Sequence, residues 1–288
     1  MATINDFHSN AEIQWCPGCP NHIILHTLKE ALVELGKAPH EICLVSGIGQ
    51  AAKLPHYLKC NFFNGLHGRA LPVATAIAVA NPDLTVIVTT GEGDCYGEGG
   101  NHFIHALRRN PDVTLFVHNN AIYALTKGQA SPTTPQGEKR SLHTAGVSQP
   151  PLNPIATAII HKASFVARAF ALERDQMKEI MKEAISVRGF SYVDIIQPCI
   201  TWDPRPLDWF RSNVKPLNPD HDPTDFKKAL ELSLVPAPPM LTGVFFKMES
   251  RPVFGEDFFR ETGFDRLAGT YYPASDDVKT ILEEFRSN

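Results

Sequence analysis

The sequence predicts an α/β protein built on a doubly wound, mainly parallel sheet with an extended C-terminal arm. Three observations carry that prediction. Short apolar runs of strand length each stop at a glycine or asparagine turn, and helical patterns separate them. The chain is also long and apolar enough, at 288 residues, 43% hydrophobic and 20% charged, to cover a sheet on both faces, which excludes a disordered or fibrous class.

The elements follow in order. Between Asn21 and Leu35, the residues Ile24, Leu25, Leu28, Leu32 and Leu35 recur at helical spacing and Gly36 stops the helix. Glu41 to Val45 is a strand ending at Ser46-Gly47, Leu84 to Val88 one ending at Thr90-Gly91, and Val113 to Val117 one ending at Asn119-Asn120. Helices are expected at Leu71 to Ala80 and Asn101 to Arg109. Strands at Ala163 to Phe170 and Tyr192 to Ile196 then flank a helix at Asp175 to Arg188. Near-continuous apolar strands separated by helices belong to a parallel sheet buried on both sides. Past Pro198 the texture changes: nine of the 23 prolines fall between 198 and 239, and only Thr224 to Leu232 and Ser275 to Phe285 look helical. The expected division is a ligand-binding domain over 1–200 and a Pro-rich arm over 201–288 that packs on the domain or on a partner subunit.

Charge and cysteine usage narrow the function. Lys and Arg total 27 against 31 Asp and Glu, with no basic run longer than two residues, which argues against a nucleic-acid partner. The polar first residues and the lack of a long apolar run predict a cytoplasmic chain without a membrane anchor. Six cysteines, at 16, 19, 43, 60, 95 and 199, then read as metal or redox chemistry rather than a disulfide framework.

Ligands of doubly wound sheets bind beyond the carboxyl ends of the strands, so Gly47-Ile48-Gly49, Gly91-Glu92-Gly93-Asp94 and Asn119-Asn120 are expected to share one crevice. Carboxylates repel phosphates, so an acid-glycine loop suits a diphosphate only through a bridging Mg²⁺, with the glycines allowing close backbone approach. Asn120 lies 28 residues beyond Glu92, room for one crossover helix, and its amide with a nearby carbonyl extends the set of hard oxygen ligands. A structural zinc on Cys16, Cys19, His22 and His26 is the alternative use of the first cysteine pair, at a compressed spacing.

These loops form a series with Trp15-Cys16-Pro17-Gly18-Cys19, Ser46-Gly47-Ile48-Gly49, Leu66-His67-Gly68-Arg69-Ala70-Leu71-Pro72, Gly99-Gly100-Asn101-His102 and Gly128-Gln129-Ala130-Ser131-Pro132-Thr133. From Trp15 to Cys199 the series resembles the β subunit of 2-oxoacid:ferredoxin oxidoreductases. Leu125-Thr126-Lys127-Gly128-Gln129 is most similar to the 2-oxoglutarate-type members. The resemblance implies the thiamine-diphosphate-binding fold, with thiamine diphosphate, Mg²⁺ and a [4Fe–4S] cluster as cofactors and coenzyme A as co-substrate. It further implies ferredoxin as electron acceptor and an α subunit in an αβ or (αβ)2 assembly.

Residue by residue, the resemblance makes Glu92, Asn120 and the carbonyl of Ile122 the Mg²⁺ ligands. The family usually has Asp at position 92, so Asp94 is kept as an alternative holder. Ile48, Gly49, Gln50, His67, Gly68, Arg69, Gly91, Gly93, Ala124 and Leu125 would contact the cofactor, His67 and Arg69 at its diphosphate. Lys53 and His67 are the implied catalytic residues, Lys53 as a cation for the substrate carboxylate, with a solvated helix lysine as its bland alternative. Cys16, Cys19 and Cys199 match three cluster thiolates. The remaining family position is Gln50, a neutral hard amide, and Cys60 is expected to replace it. Cys43 is expected to be a small buried hydrophobe, and Cys95 to pack beside the Mg²⁺ loop. Nothing in the chain matches the glutamate that thiamine enzymes set against the aminopyrimidine ring, which the resemblance places on the α subunit. The isolated chain is therefore expected to bind cofactors and be inactive. Two other readings remain open: a pyruvate-type enzyme of the same family, and a non-catalytic, cluster-bearing electron-transfer or binding subunit.

Overall fold

In the computed structural model, which describes residues 2–248, 250–263, 267 and 283, each apolar run becomes a strand. The strands are β1 (Ile42–Ser46), β2 (Asn61–Asn64), β3 (Thr85–Gly91), β4 (Val113–Asn119), β5 (Ile122–Tyr123), β6 (Gln129–Ala130), β7 (Phe165–Phe170), β8 (Phe190–Ile196), β9 (Val214–Pro216) and β10 (Met240–Lys247). β5 and β6 form a separate small ribbon. The other eight make one sheet in the order β2-β1-β3-β4-β8-β7-β10-β9, parallel from β2 to β7, with β10 antiparallel to β7.

Helices α1 (Asn21–Glu34), α2 (Ala70–Ala80), α3 (Gly100–Arg109), α4 (Pro154–Ile160), α5 (Arg174–Ser186), α6 (Leu207–Asn213), α7 (Phe226–Ser233) and α8 (Glu256–Thr262) precede, connect or follow the strands. Successive side chains of a strand point to opposite faces, so β4 sends Val113, Leu115 and Val117 into the layer under α2, α3 and α4, and Phe116 into the layer under α1 and α5. None of the helices among the described residues is long and apolar enough to cross a membrane.

Three departures from the sequence reading have physical reasons. β3 and β4 run past their apolar stretches into Thr89, Thr90, His118 and Asn119, because neighbouring strands continue the hydrogen-bond ladder there. β2 was not expected, since all four of its residues are exposed and no buried alternation marks it. The segment past 200 is more than a draped arm. β10 joins the sheet beside β7 and buries Phe245 and Phe246 in the main core, so the sheet continues across the expected division at 200. Pro236, Pro238 and Pro239, directly before β10, hide its strand signal. The helix expected over Ser275 to Phe285 falls, but for Glu283, outside the described residues.

Candidate cofactor and metal site

The carboxyl ends of β1, β3 and β4 surround one cavity. Its lining includes Ile48, Gly49 and Gln50 after β1, His67, then Gly91, Glu92, Gly93 and Asp94 at the end of β3, and His118, Asn120, Ile122, Ala124 and Leu125 from β4 onward. Gly68 adjoins this site through its N–H to Asp94. Lys53 and Arg69 are not in the lining: Lys53 is half-buried in the 3₁₀ segment Ala51–Tyr57, and exposed Arg69 points a guanidinium nitrogen at His102, 3.3 Å away.

The two acids of the Gly91-Glu92-Gly93-Asp94 loop do different work. Asp94 is 3% exposed and accepts from the N–H of Ile48 at 3.1 Å, the N–H of Gly68 at 2.7 Å and the Thr90 hydroxyl, with His67 Nδ1 2.6 Å away. It ties three turns together, and a Cβ at Gly47 would lie 2.1 Å from its carboxylate, so only glycine fits there. A carboxylate so fully engaged has little left for a cation, which disfavours Asp94 as the metal holder.

Glu92 faces the other loop. Its Oε1 accepts from the N–H of Ile122 at 2.8 Å, and its Oε2 lies 3.4 Å from the N–H of Asn120. Burial pushes its carboxyl up to about 7, against hydrogen bonds from Ser131 and backbone N–H groups that pull it down. Ala121, between Asn120 and Ile122, sits at φ 58, a left-handed conformation that Asn119 Oδ1 and the Thr134 hydroxyl hold through the Ala121 backbone.

The residues fit a Mg²⁺-diphosphate cofactor. Glu92 and Asn120 bring hard oxygens together in the lining, Glu92 Oε1 and Asn120 Oδ1 both accepting from the Ile122 N–H, at 2.8 and 2.9 Å. A Cβ at Gly93 would strike the Tyr123 ring at 2.2 Å, so the loop stays bare backbone. His118 also lines the cavity: its Nδ1 meets Asn21 Oδ1 at 2.8 Å, its Nε2 is buried with no partner, and burial pushes its pKa down to about 3.

The cysteines divide into groups. Cys19 is pushed up to about 11, mainly by burial, with the Asn21 N–H opposing and Cys199 and Cys16 adding to the rise, which puts these three thiols in one neighbourhood. The Thr201 hydroxyl lies 3.5 Å from Cys16 Sγ, and Gly18 packs toward Ile200. Cys60 is elsewhere. It precedes β2, beside Cys43 and Leu44 near the entry end of β1, and is pushed up to about 12, chiefly by burial. The replacement expected of Cys60 is thus not met by its position, because β2 runs parallel to β1 and begins at the sheet end remote from the cavity.

Gln50 lies at the cavity, its carbonyl accepting from Trp15 Nε1 at 2.8 Å. His22 packs edge-on to Trp15 and His26 pairs with Glu30, while among the described residues no three His, Cys, Asp or Glu side chains converge on a single metal ion. Cys16, Cys19 and Cys199 are the side chains that could serve an iron–sulfur cluster, whose ligands sit on different irons. Cys43 and Cys95 are buried in the main core.

Residues 45–195 match the family model described as thiamine pyrophosphate enzyme, C-terminal TPP binding domain, and residues 199–260 match the model of the C-terminal region of the pyruvate ferredoxin oxidoreductase beta chain. The 2-oxoacid:ferredoxin oxidoreductase subunit beta of Sulfolobus is 40% identical over 257 residues, 84% of each chain. The chain belongs to the β subunits of the 2-oxoacid:ferredoxin oxidoreductases. Another member similar to it is the 2-oxoglutarate oxidoreductase subunit KorB of Mycobacterium tuberculosis, 43% identical over 206 residues, 72% of this chain and 55% of that one. Among solved structures, the 2-oxoglutarate:ferredoxin oxidoreductase of Magnetococcus marinus, with 2-oxoglutarate, coenzyme A and succinyl-CoA bound, superposes with a TM-score of 0.88 at 33% identity. It covers 97% of this chain and 96% of that one.

This β subunit has site residues that the sequence did not single out: Asn21, His118, Tyr123 and Gln197. His118, next to the end of β4, and Gln197, directly after β8, share one legible signal, a polar residue where an apolar run stops.

Proposed function

We propose that this chain is the β subunit of a 2-oxoglutarate:ferredoxin oxidoreductase that catalyses reversible, coenzyme A-dependent oxidative decarboxylation with an α subunit, in an αβ or (αβ)2 assembly in the cytoplasm. The observation that carries the reading is the convergence of Glu92, Asn120 and Ile122 on one glycine-walled cavity in a chain of this family. When bound, thiamine diphosphate supplies the electron sink for loss of carbon dioxide, and a [4Fe–4S] cluster carries single electrons on to ferredoxin.

The chain's own residues do the positioning. Glu92, the Asn120 amide and the Ile122 carbonyl would hold Mg²⁺. Asp94 fixes the turns at Ile48 and His67 from behind, and His67 offers a nitrogen to the diphosphate. Ile48 and Leu125, both partly exposed at the cavity, exclude water from the reacting carbon. Lys53 stands outside the cavity lining, three residues after Gln50, and would serve as the cation for the substrate carboxylate only by reaching in from that segment. Cys16, Cys19 and Cys199 would hold the cluster, which would supply the one-electron steps.

The test is anaerobic co-purification with the α subunit, followed by iron, acid-labile sulfide and thiamine diphosphate analysis and by 2-oxoacid-dependent dye reduction with coenzyme A. Iron, sulfide and about one thiamine diphosphate per chain, with 2-oxoglutarate preferred over pyruvate, are expected. Pyruvate preference would reassign the substrate, and zinc without sulfide or thiamine would overturn the reading.

A further inference from the structure

Gln197 directly follows β8, just before Pro198-Cys199, and is 2% exposed. Its amide touches both halves of the site. Oε1 accepts from Asn120 Nδ2 at 3.2 Å, while Nε2 donates to Cys19 Sγ at 3.6 Å and to the Pro198 carbonyl at 3.2 Å. A continuous path of side chains thus runs from the loop facing Glu92 to the group of three cysteines.

The direction of this path is set by a backbone group that can only donate. The Ile122 N–H gives to Asn120 Oδ1 at 2.9 Å, so Asn120 turns Nδ2 toward Gln197. Gln197 must answer with Oε1, which leaves its Nε2 against the sulfur. Flipping the Gln197 amide would set two donors face to face at Asn120 and two acceptors face to face at Pro198.

We propose that Gln197 is a positioning residue that couples the two centres: it orients Asn120 in the metal-binding loop and raises the reduction potential of the iron–sulfur group through its N–H···S bond to Cys19. The inference rests on the reading that Cys16, Cys19 and Cys199 carry such a group. The physical reason is that reduction adds negative charge to the cluster and its thiolates. A donor aimed at a ligand sulfur stabilises the reduced form, and burial keeps water from replacing that donor. At the other end, holding Nδ2 leaves Asn120 one orientation, so its oxygen does not have to be turned when the metal arrives.

The experiment uses the complex with its α subunit, purified without oxygen, and two variants. Gln197→Leu removes both contacts. Gln197→Glu is isosteric, keeps an oxygen for Asn120 and removes the N–H from Cys19. Two quantities are read: the midpoint potential of the cluster, from a dye-mediated titration followed by electron paramagnetic resonance, and the Mg²⁺ concentration that half-saturates thiamine diphosphate binding by calorimetry. Loss of the N–H is expected to weaken reduction about tenfold in both variants, a downward shift of about 59 mV for a one-electron couple. Gln197→Leu is also expected to raise the Mg²⁺ requirement several-fold, with Gln197→Glu staying within about twofold of the parent. Iron content equal to the parent with an unchanged potential in either variant overturns the coupling to Cys19. An unchanged Mg²⁺ requirement in Gln197→Leu overturns the coupling to Asn120. If Gln197→Leu does not assemble, Gln197→Glu alone decides the potential. A parent complex without iron overturns the functional reading, and this inference with it.

Discussion

Replacing Asp94 with alanine separates a structural carboxylate from a metal-holding one. Asp94 accepts from two buried groups, the Gly68 N–H and the Thr90 hydroxyl, and from two that water can reach, the Ile48 N–H and the His67 ring. Each buried donor left without a partner costs about 1–3 kcal/mol, so the two together cost about 2–6 kcal/mol, while hydration softens the loss at the others. Against a total stability of about 5–15 kcal/mol for a typical domain, that is a large share. Urea unfolding of the metal-free chain is therefore expected to show a midpoint lowered by roughly 1 M or more with the slope unchanged. The same variant should bind thiamine diphosphate poorly even at high Mg²⁺, since the turns at Ile48 and His67 lose their shared anchor. A loss below about 1 kcal/mol, with cofactor binding restored by excess Mg²⁺, would refute the reasoning and return Asp94 to the metal.

Three further outcomes follow from the same geometry. Glu92 titrates near 7 in the fold against 4.5 in its ordinary state, so the stability it contributes is complete below pH 4.5 and is lost as pH rises through 7. That loss is about 3 kcal/mol; thermal melts of the metal-free chain across this range should show it, and Glu92→Gln or added Mg²⁺ with the cofactor should abolish it. Cys60→Ser should keep the parent's iron, whereas Cys16→Ser, Cys19→Ser or Cys199→Ser should lose most of it, as metal analysis of the anaerobic complex would show. A chain cut after residue 200 should be insoluble or unfolded by circular dichroism, because it exposes β7 and removes Phe245 and Phe246 from the core.

Sequence pattern alone determined the parallel strands β1, β3, β4, β7 and β8 and the loops at their carboxyl edge, because five apolar runs buried on both faces can pack in few other ways. It also placed Glu92 and Asn120 in one crevice, since residues that end neighbouring parallel strands on the same side must meet. Local pattern could not show β10, whose strand signal is masked by the prolines before it, or β2, whose exposed residues have no buried face to betray them. Nor could it divide the work of the two acids. Asp94 and Glu92 are two residues apart and chemically alike, and only the donors that folding brings from Ile48, Gly68 and Thr90 on one side, and from Ile122 and Asn120 on the other, distinguish them. The same holds for the cysteines. Position in the chain made Cys60 a candidate beside Gln50, but strand direction carried it to the far end of β1, while Cys199, 180 residues beyond Cys19, came back to it because β8 ends at the same edge as the cavity. Spacing along the chain reports which groups are available; the handedness and direction of the strands decide which of them meet.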